Sequence, residues 1–304
     1  MSKIGILTFH RAGNYGAVLQ TYALQTAIEK LGAKAEIIDY HCPEVEIAHH
    51  PYYGLKKNGL KFLPRAAGKV IKYNRFQSFR KKYLHLSKKV DADSIKYLES
   101  EYDKIIAGSD QVWNNNFSGG DEQFFLPFAP SEKKCTYAVS IGDNYDQTWL
   151  NSMLKKNGQD FGTISLREKS SVDFVSGVTN HPCRVDVDPT FLLTKDEWFK
   201  IAKNSDHSKP YILLYTVAGT DELVNHAKET AKKTGYDLIY INNSFNQNKD
   251  IRKVRYITPD AFIGYFSEAE FIFTNSFHGT AFSILLNRRT CWRRERSGRT
   301  RRCC

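Results

Sequence analysis

The chain has 304 residues, 41% of them apolar and 25% charged, with a formal net charge of +11. That length leaves room for two α/β domains, and the composition excludes a disordered or fibrous chain. No apolar run approaches the ~20 residues of a membrane span. Met1-Ser2-Lys3-Ile4 enters a strand pattern without a signal-peptide layout, so a cytoplasmic location is expected.

The chain opens with an apolar run, Ile4 to Phe9, of the kind a strand buried on both faces of a parallel sheet requires. A turn bearing Asn14 and Gly16 follows, then a helix with Ala17, Leu24, Ile28 and Leu31 on one face, stopped at Gly32. Glu36 to Tyr40 reads as the second strand. This is a βαβ opening of Rossmann type, but without G-x-G-x-x-G, so a dinucleotide fingerprint is absent. Gly13 and Gly16 are expected to let backbone approach a ligand.

Residues 41–90 form an excursion. His41, Cys42, His49 and His50 fit no familiar zinc spacing, and no metal is expected. No acid lies between Glu46 and Asp91, whereas twelve Lys/Arg fall from Lys56 to Lys89. Phe76, Phe79 and Tyr83 stand at helical spacing. One reading is a helix with one packed and one solvated face. The other is a cationic face for an anionic acceptor or the inner face of a membrane.

Further strands are expected at Lys104–Gly108, Cys135–Ser140, Thr163–Leu166 and Val185–Val187. Lys203 to Pro210 reads as a linker. The pattern then repeats. Strands are expected at Tyr211–Val217, Asp237–Ile241 and Val254–Ile257, and helices at 221–234 and from Thr258-Pro259 onward. The strand Phe271–Thr274 runs through Asn275, Ser276, Phe277, His278 and Gly279 into an apolar helix. Such a junction leaves backbone N–H groups for a small anion, with His278 beside it as a group suited to proton transfer near neutral pH. A cap or a core position is the alternative for His278.

Seven of the eleven net positive charges lie from Arg288 onward, where eight Arg, one Glu and three of the six Cys occur without helical or strand period. Residues 288–304 are therefore expected to be an aberrant Arg/Cys-rich tail rather than a nucleic-acid-binding arm, and no nucleic-acid partner is expected. Cys42, Cys135 and Cys183 show no CxxC pairing, which fits reduced thiols. The expected organisation is an N-terminal Rossmann-like domain at 1–202, a linker at 203–210 and a truncated C-terminal Rossmann-like domain at 211–287.

Asn14/Gly16, Ser109/Asp110, Arg167, Asp188/Thr190 and Ser276/His278 each fall just past the carboxyl end of an expected strand. In open α/β sheets that edge binds ligands, and in a two-domain arrangement the two edges can face one cleft. An Arg recognises carboxylate or phosphate bidentately. The alternative for Arg167 is an ion pair with a neighbour such as Glu168. Asp188 reads first as a turn residue, and Ser109/Asp110 as either sugar contacts or caps. G-x-S-x-G and a Walker loop are both missing.

The blocks from His10 to Gln20, Gly108 to Asn114, Ser165 to Glu168, Asp188 to Thr190 and Thr274 to Gly279 resemble the polysaccharide pyruvyltransferase family. The resemblance implies an α/β fold with two Rossmann-like domains in a GT-B-like arrangement. It also implies transfer of pyruvate from phosphoenolpyruvate to a sugar of a cell-surface polysaccharide or its lipid-linked precursor, as a ketal, with no further cofactor. Arg167 and His278 match the family's donor-binding arginine and essential histidine. Asn14, Gly16, Ser109, Asp110, Ser276 and Gly279 are expected to contact substrate. The resemblance breaks off at Arg288. The alternatives are a GT-B-type glycosyltransferase using a nucleotide sugar, or a catalytically inactive truncated relative.

Overall fold

The computed structural model describes residues 1–49, 51, 63–217, 221–242 and 251–292. The chain divides into two compact units, Met1–Lys69 with Gln77–Leu192, and Val70–Phe76 with Leu193–Cys304.

In the first unit, β1 (Lys3–Leu7), β2 (Lys34–Tyr40), β3 (Leu86–Val90), β4 (Lys104–Ala107) and β5 (Lys134–Thr136) form one sheet in the order β3-β2-β1-β4-β5. Every pair is parallel. Ile6 and Leu7 are fully buried, as a central parallel strand covered on both faces requires. Helix α1 (Tyr15–Lys30) returns the chain from β1 to β2 and buries Ala17, Leu24 and Ile28. Leu31, expected on the same stripe, is 86% exposed because it is the C-cap and lies beyond the last turn. The excursion holds α2 (Pro43–His49), α3 (Leu63–Tyr83) and β3. Phe76 and Phe79 of α3 are buried, as a one-sided helix requires. His50 and residues 52–62, Lys56 among them, lie outside the described residues.

The strand expected at Cys135–Ser140 ends at Thr136, because Ala138 takes a positive φ of 45°. Val139 resumes pairing as a single bridge residue, to Asp110 on one side and Leu166 on the other. It thereby joins the end of β4 to the parallel pair β6 (Ile164–Leu166) and β7 (Cys183–Val185). The strand expected at Val185–Val187 thus lies two residues earlier. Helices α4 (Gln147–Asn157) and α5 (Val172–Thr179) complete this unit. Its core surrounds Trp113, stacked on Phe125 at 4.8 Å with rings 6° apart.

The second unit repeats the architecture. The strands β8 (Tyr211–Tyr215), β9 (Asp237–Ile241), β10 (Arg252–Val254), β11 (Phe271–Thr274) and β12 (Arg289–Trp292) take the order β10-β9-β8-β11-β12, all parallel. Its longer helices are α6 (Asp221–Thr234), α7 (Pro259–Glu268) and α8 (Phe277–Leu285).

Two expectations change. Residues 289–292 are not part of a structureless tail: they pair with β11 in register from Phe271↔Arg289 to Thr274↔Trp292. Edge strands take stability from a neighbour's hydrogen bonds, so a strand can form without an apolar period of its own. Residues 293–304 lie outside the described residues. The segment read as a linker is fastened to the second unit. The Lys203 N–H donates to the Asp260 carbonyl at 3.0 Å, and the Ser205 N–H to Glu268 Oε1 at 3.0 Å. His207 Nε2 lies 3.0 Å from the Asp237 carboxylate. The division falls at Leu192/Leu193, ten residues before the expected one.

Candidate functional site

At the carboxyl end of β1, the loop to α1 is held by buried charges. Asp39, at the end of β2, accepts from Arg11 Nη1 at 2.6 Å and from His10 Nε2 at 2.9 Å. Arg11 Nε pairs with Glu46 of α2. Arg80, buried on α3, donates through Nη1 to the carbonyls of His10 at 3.3 Å and Arg11 at 3.2 Å. Burial opposes ionisation of Asp39, but His10 and Arg11 outweigh it and hold its carboxyl well below the usual carboxylate range. Burial pushes the His10 imidazole down, against the pull of Asp39. Downstream, the Asn14 side chain accepts from the Ala17 N–H at 3.3 Å and caps α1. Gly16 is buried in the first helical turn.

At the end of β4, Gly108 has a φ of +105°, and a Cβ there would lie 2.6 Å from the Tyr137 carbonyl oxygen. Only glycine fits. Ser109 is wholly buried. Its hydroxyl donates to the Ala138 carbonyl at 2.9 Å and its own carbonyl accepts from Thr8 Oγ1 at 2.9 Å. It therefore ties strand ends together. The Asp110 side chain accepts from the Gln111 N–H at 2.9 Å.

Arg167 follows β6 directly, and three carboxylates gather around it. Its Nε donates to Glu168 Oε1 at 3.1 Å, its Nη1 to Asp188 Oδ2 at 3.0 Å, and Nη1 lies 3.7 Å from Asp110 Oδ1. Burial alone would lower its pKa; the carboxylates overcome this and raise it. Asp188 also accepts from the Thr190 N–H at 3.0 Å and its hydroxyl at 2.8 Å. It is at once the turn residue expected and an anchor for Arg167. Bridging by Val139 is what makes these neighbours, since it sets the ends of β4 and β6 side by side.

In the second unit, β11 turns into α8 over two residues, Asn275 and Ser276. Ser276 Oγ accepts from the Gly279 N–H at 3.2 Å, so Ser276 is the N-cap. The anion-binding N–H groups expected of Ser276 and Gly279 are to that extent already used. A Cβ on Gly279 would overlap Thr274 Oγ1. His278, second in the helix, is 9% exposed, and its ring meets that of the half-exposed Phe277 edge-on at 5.0 Å.

Residues 14–293 match the family model for polysaccharide pyruvyl transferase. The chain belongs to that family. The family match continues past Arg288, where the sequence resemblance breaks off, and takes in β12. Among solved structures, a Listeria monocytogenes protein assigned as a UDP-N-acetylglucosamine 2-epimerase is 10% identical, with a TM-score of 0.57. The match covers 97% of this chain and 80% of that one. The S. aureus MnaA–UDP co-structure is 14% identical, with a TM-score of 0.50 and coverage of 95% and 78%. These likenesses are of fold alone, and the fold is α/β of the GT-B type with two parallel five-stranded sheets. No curated protein sequence matches the chain.

Of the site residues expected in this pyruvyl transferase family member, the first unit gathers Asp110 and Arg167 with Asp188. Asn14 and Gly16 follow β1, the strand paired with β4. The second unit gathers Ser276, His278 and Gly279. Sequence reasoning missed Asp39, Glu46 and Arg80, although an acid inside the apolar run Glu36–Tyr40 was a signal. It also named Glu168 only as a neighbour of Arg167.

Proposed function

We propose that this family member transfers pyruvate from phosphoenolpyruvate to a hydroxyl pair of a sugar, in a cell-surface polysaccharide or its lipid-linked precursor, forming a ketal. What carries the reading is the family match across both units, taken with a guanidinium oriented at a strand edge. Glu168 and Asp188 set the plane of Arg167 through Nε and Nη1. A fixed fork of donors suits a carboxylate or phosphate. In this assignment Arg167 holds the donor's anion, and His278 delivers a proton to the methylene carbon as the sugar hydroxyl attacks its neighbour. Proton transfer of that kind is worth roughly 10²–10⁴-fold.

One guanidinium among three carboxylates leaves the surroundings of Arg167 net negative. The donor's remaining charge therefore calls for other cations. Thermal shift with phosphoenolpyruvate, against UDP-sugars as the donors of a GT-B glycosyltransferase, tests the donor: only a ligand that binds the folded chain raises its melting temperature. Steady-state kinetics of His278→Ala and Arg167→Ala test the roles. Turnover near that of the unsubstituted protein in both would remove the assignment.

A further inference from the structure

Glu168 differs from the other carboxylates at Arg167. Asp188 has both oxygens engaged, Oδ1 by Thr190 and Oδ2 by Arg167. Glu168 Oε1 accepts from Ser140 Oγ at 2.5 Å and from Arg167 Nε at 3.1 Å. Its Oε2 is buried and accepts no hydrogen bond from any described residue. A buried acceptor left unmade costs ~1–3 kcal/mol, and more when it is charged. A carboxylate held by one oxygen, with the other unpaired among the described residues, suits an O–H donor from a ligand. The side chain as a whole is 25% exposed. A sugar hydroxyl is such a donor, and it is also the group that must lose a proton in ketal formation.

We propose that Glu168 is the base that takes the proton from the attacking sugar hydroxyl; this rests on the pyruvyl-transfer reading above. The hydroxyl oxygen bonds to C2 of phosphoenolpyruvate while its proton passes to Glu168 Oε2. The C2=C3 electron pair takes a proton at C3, giving the methyl group. The second hydroxyl then bonds to C2, and the C2–O(phosphate) bond breaks. Phosphate leaves with that electron pair and the second hydroxyl's proton. Exchange with solvent restores both the base and the acid. Ser140 and Arg167 act as positioning residues for Glu168, and Asp110 and Asp188 are the further charges that share Arg167 with it.

The test uses the full chain, phosphoenolpyruvate, and methyl hexopyranosides bearing 3,4- or 4,6-diols, with phosphate release and melting temperature as readouts. Glu168→Gln keeps shape and is expected to lower turnover about 100-fold. The acid limb of its pH–rate profile should vanish. Glu168→Asp should restore part of the turnover, with the acid limb present. Glu168→Gln turning over within threefold of the unsubstituted protein, or keeping the same acid limb, overturns the base while leaving pyruvyl transfer standing. Loss of turnover in proportion to loss of folded protein assigns Glu168 a structural role and overturns the base equally. An unsubstituted protein that neither binds phosphoenolpyruvate nor releases phosphate with any diol overturns both readings together.

Discussion

Asp39 shows how one buried acid fixes a loop at the sheet edge. Its folded pKa lies below the unfolded value, so as pH falls the unfolded chain takes up the proton first. The stability contributed by the pair is therefore complete above about pH 5 and drains away as pH falls toward the lowered value. Asp39→Asn is expected to cost about 3–5 kcal/mol at pH 7, because it leaves Arg11 and His10 without their shared partner. It should also flatten the acid side of the stability curve, read by urea unfolding at stepped pH. An unchanged acid slope would mean that Asp39 is not held as described. Gly108 makes the same point through backbone. Gly108→Ala combines a φ of +105° with a collision against the Tyr137 carbonyl, and a loss of ~1–3 kcal/mol is expected by thermal denaturation. A loss below about half a kcal/mol would show that the turn relaxes instead.

At the level of elements, α3 and β12 each depart from the face value of their composition. Helix α3 is rich in Lys and Arg, yet Arg80 is 1% exposed and spends its charge on the carbonyls of the β1–α1 loop. Arg80→Met keeps the apolar stem but leaves those carbonyls without their donor. A loss of about 1–3 kcal/mol in denaturant unfolding is expected, a buried unmet acceptor being the cause. Strand β12 covers the edge of β11, and Thr290 Oγ1 donates to the Ile272 carbonyl at 3.2 Å. A chain ending at Asn287 is expected to melt lower and to associate more than one ending at Trp292, because the freed β11 edge is a template for pairing. Equal melting temperatures and equal sedimentation of the two chains would show that β12 contributes nothing.

For the molecule as a whole, each unit has its own sheet, and saturation with the true donor should stabilise the folded chain by ~2.7 kcal/mol at 100 times its Kd. Calorimetry with phosphoenolpyruvate reads this directly, and the absence of any shift at millimolar donor would count against the proposed function. Much of this architecture is local information. Apolar runs such as Ile4–Leu7 and Tyr211–Tyr215, the N-cap Ser276 and the stop at Gly32 all mark themselves within a few residues, because burial and capping act over one turn or one strand. That is why the two repeats, and the placing of Arg167 and His278 at strand ends, were legible in the sequence alone. Which residues meet was not. Asp110, Glu168 and Asp188 come to Arg167 through a single bridge at Val139. Arg80 reaches His10 across seventy positions, and Arg289–Trp292 become a strand only because β11 lies beside them. Periodicity reports how a segment faces a core, but charge pairing and edge pairing are settled by neighbours distant in sequence, so only the tertiary structure could decide them.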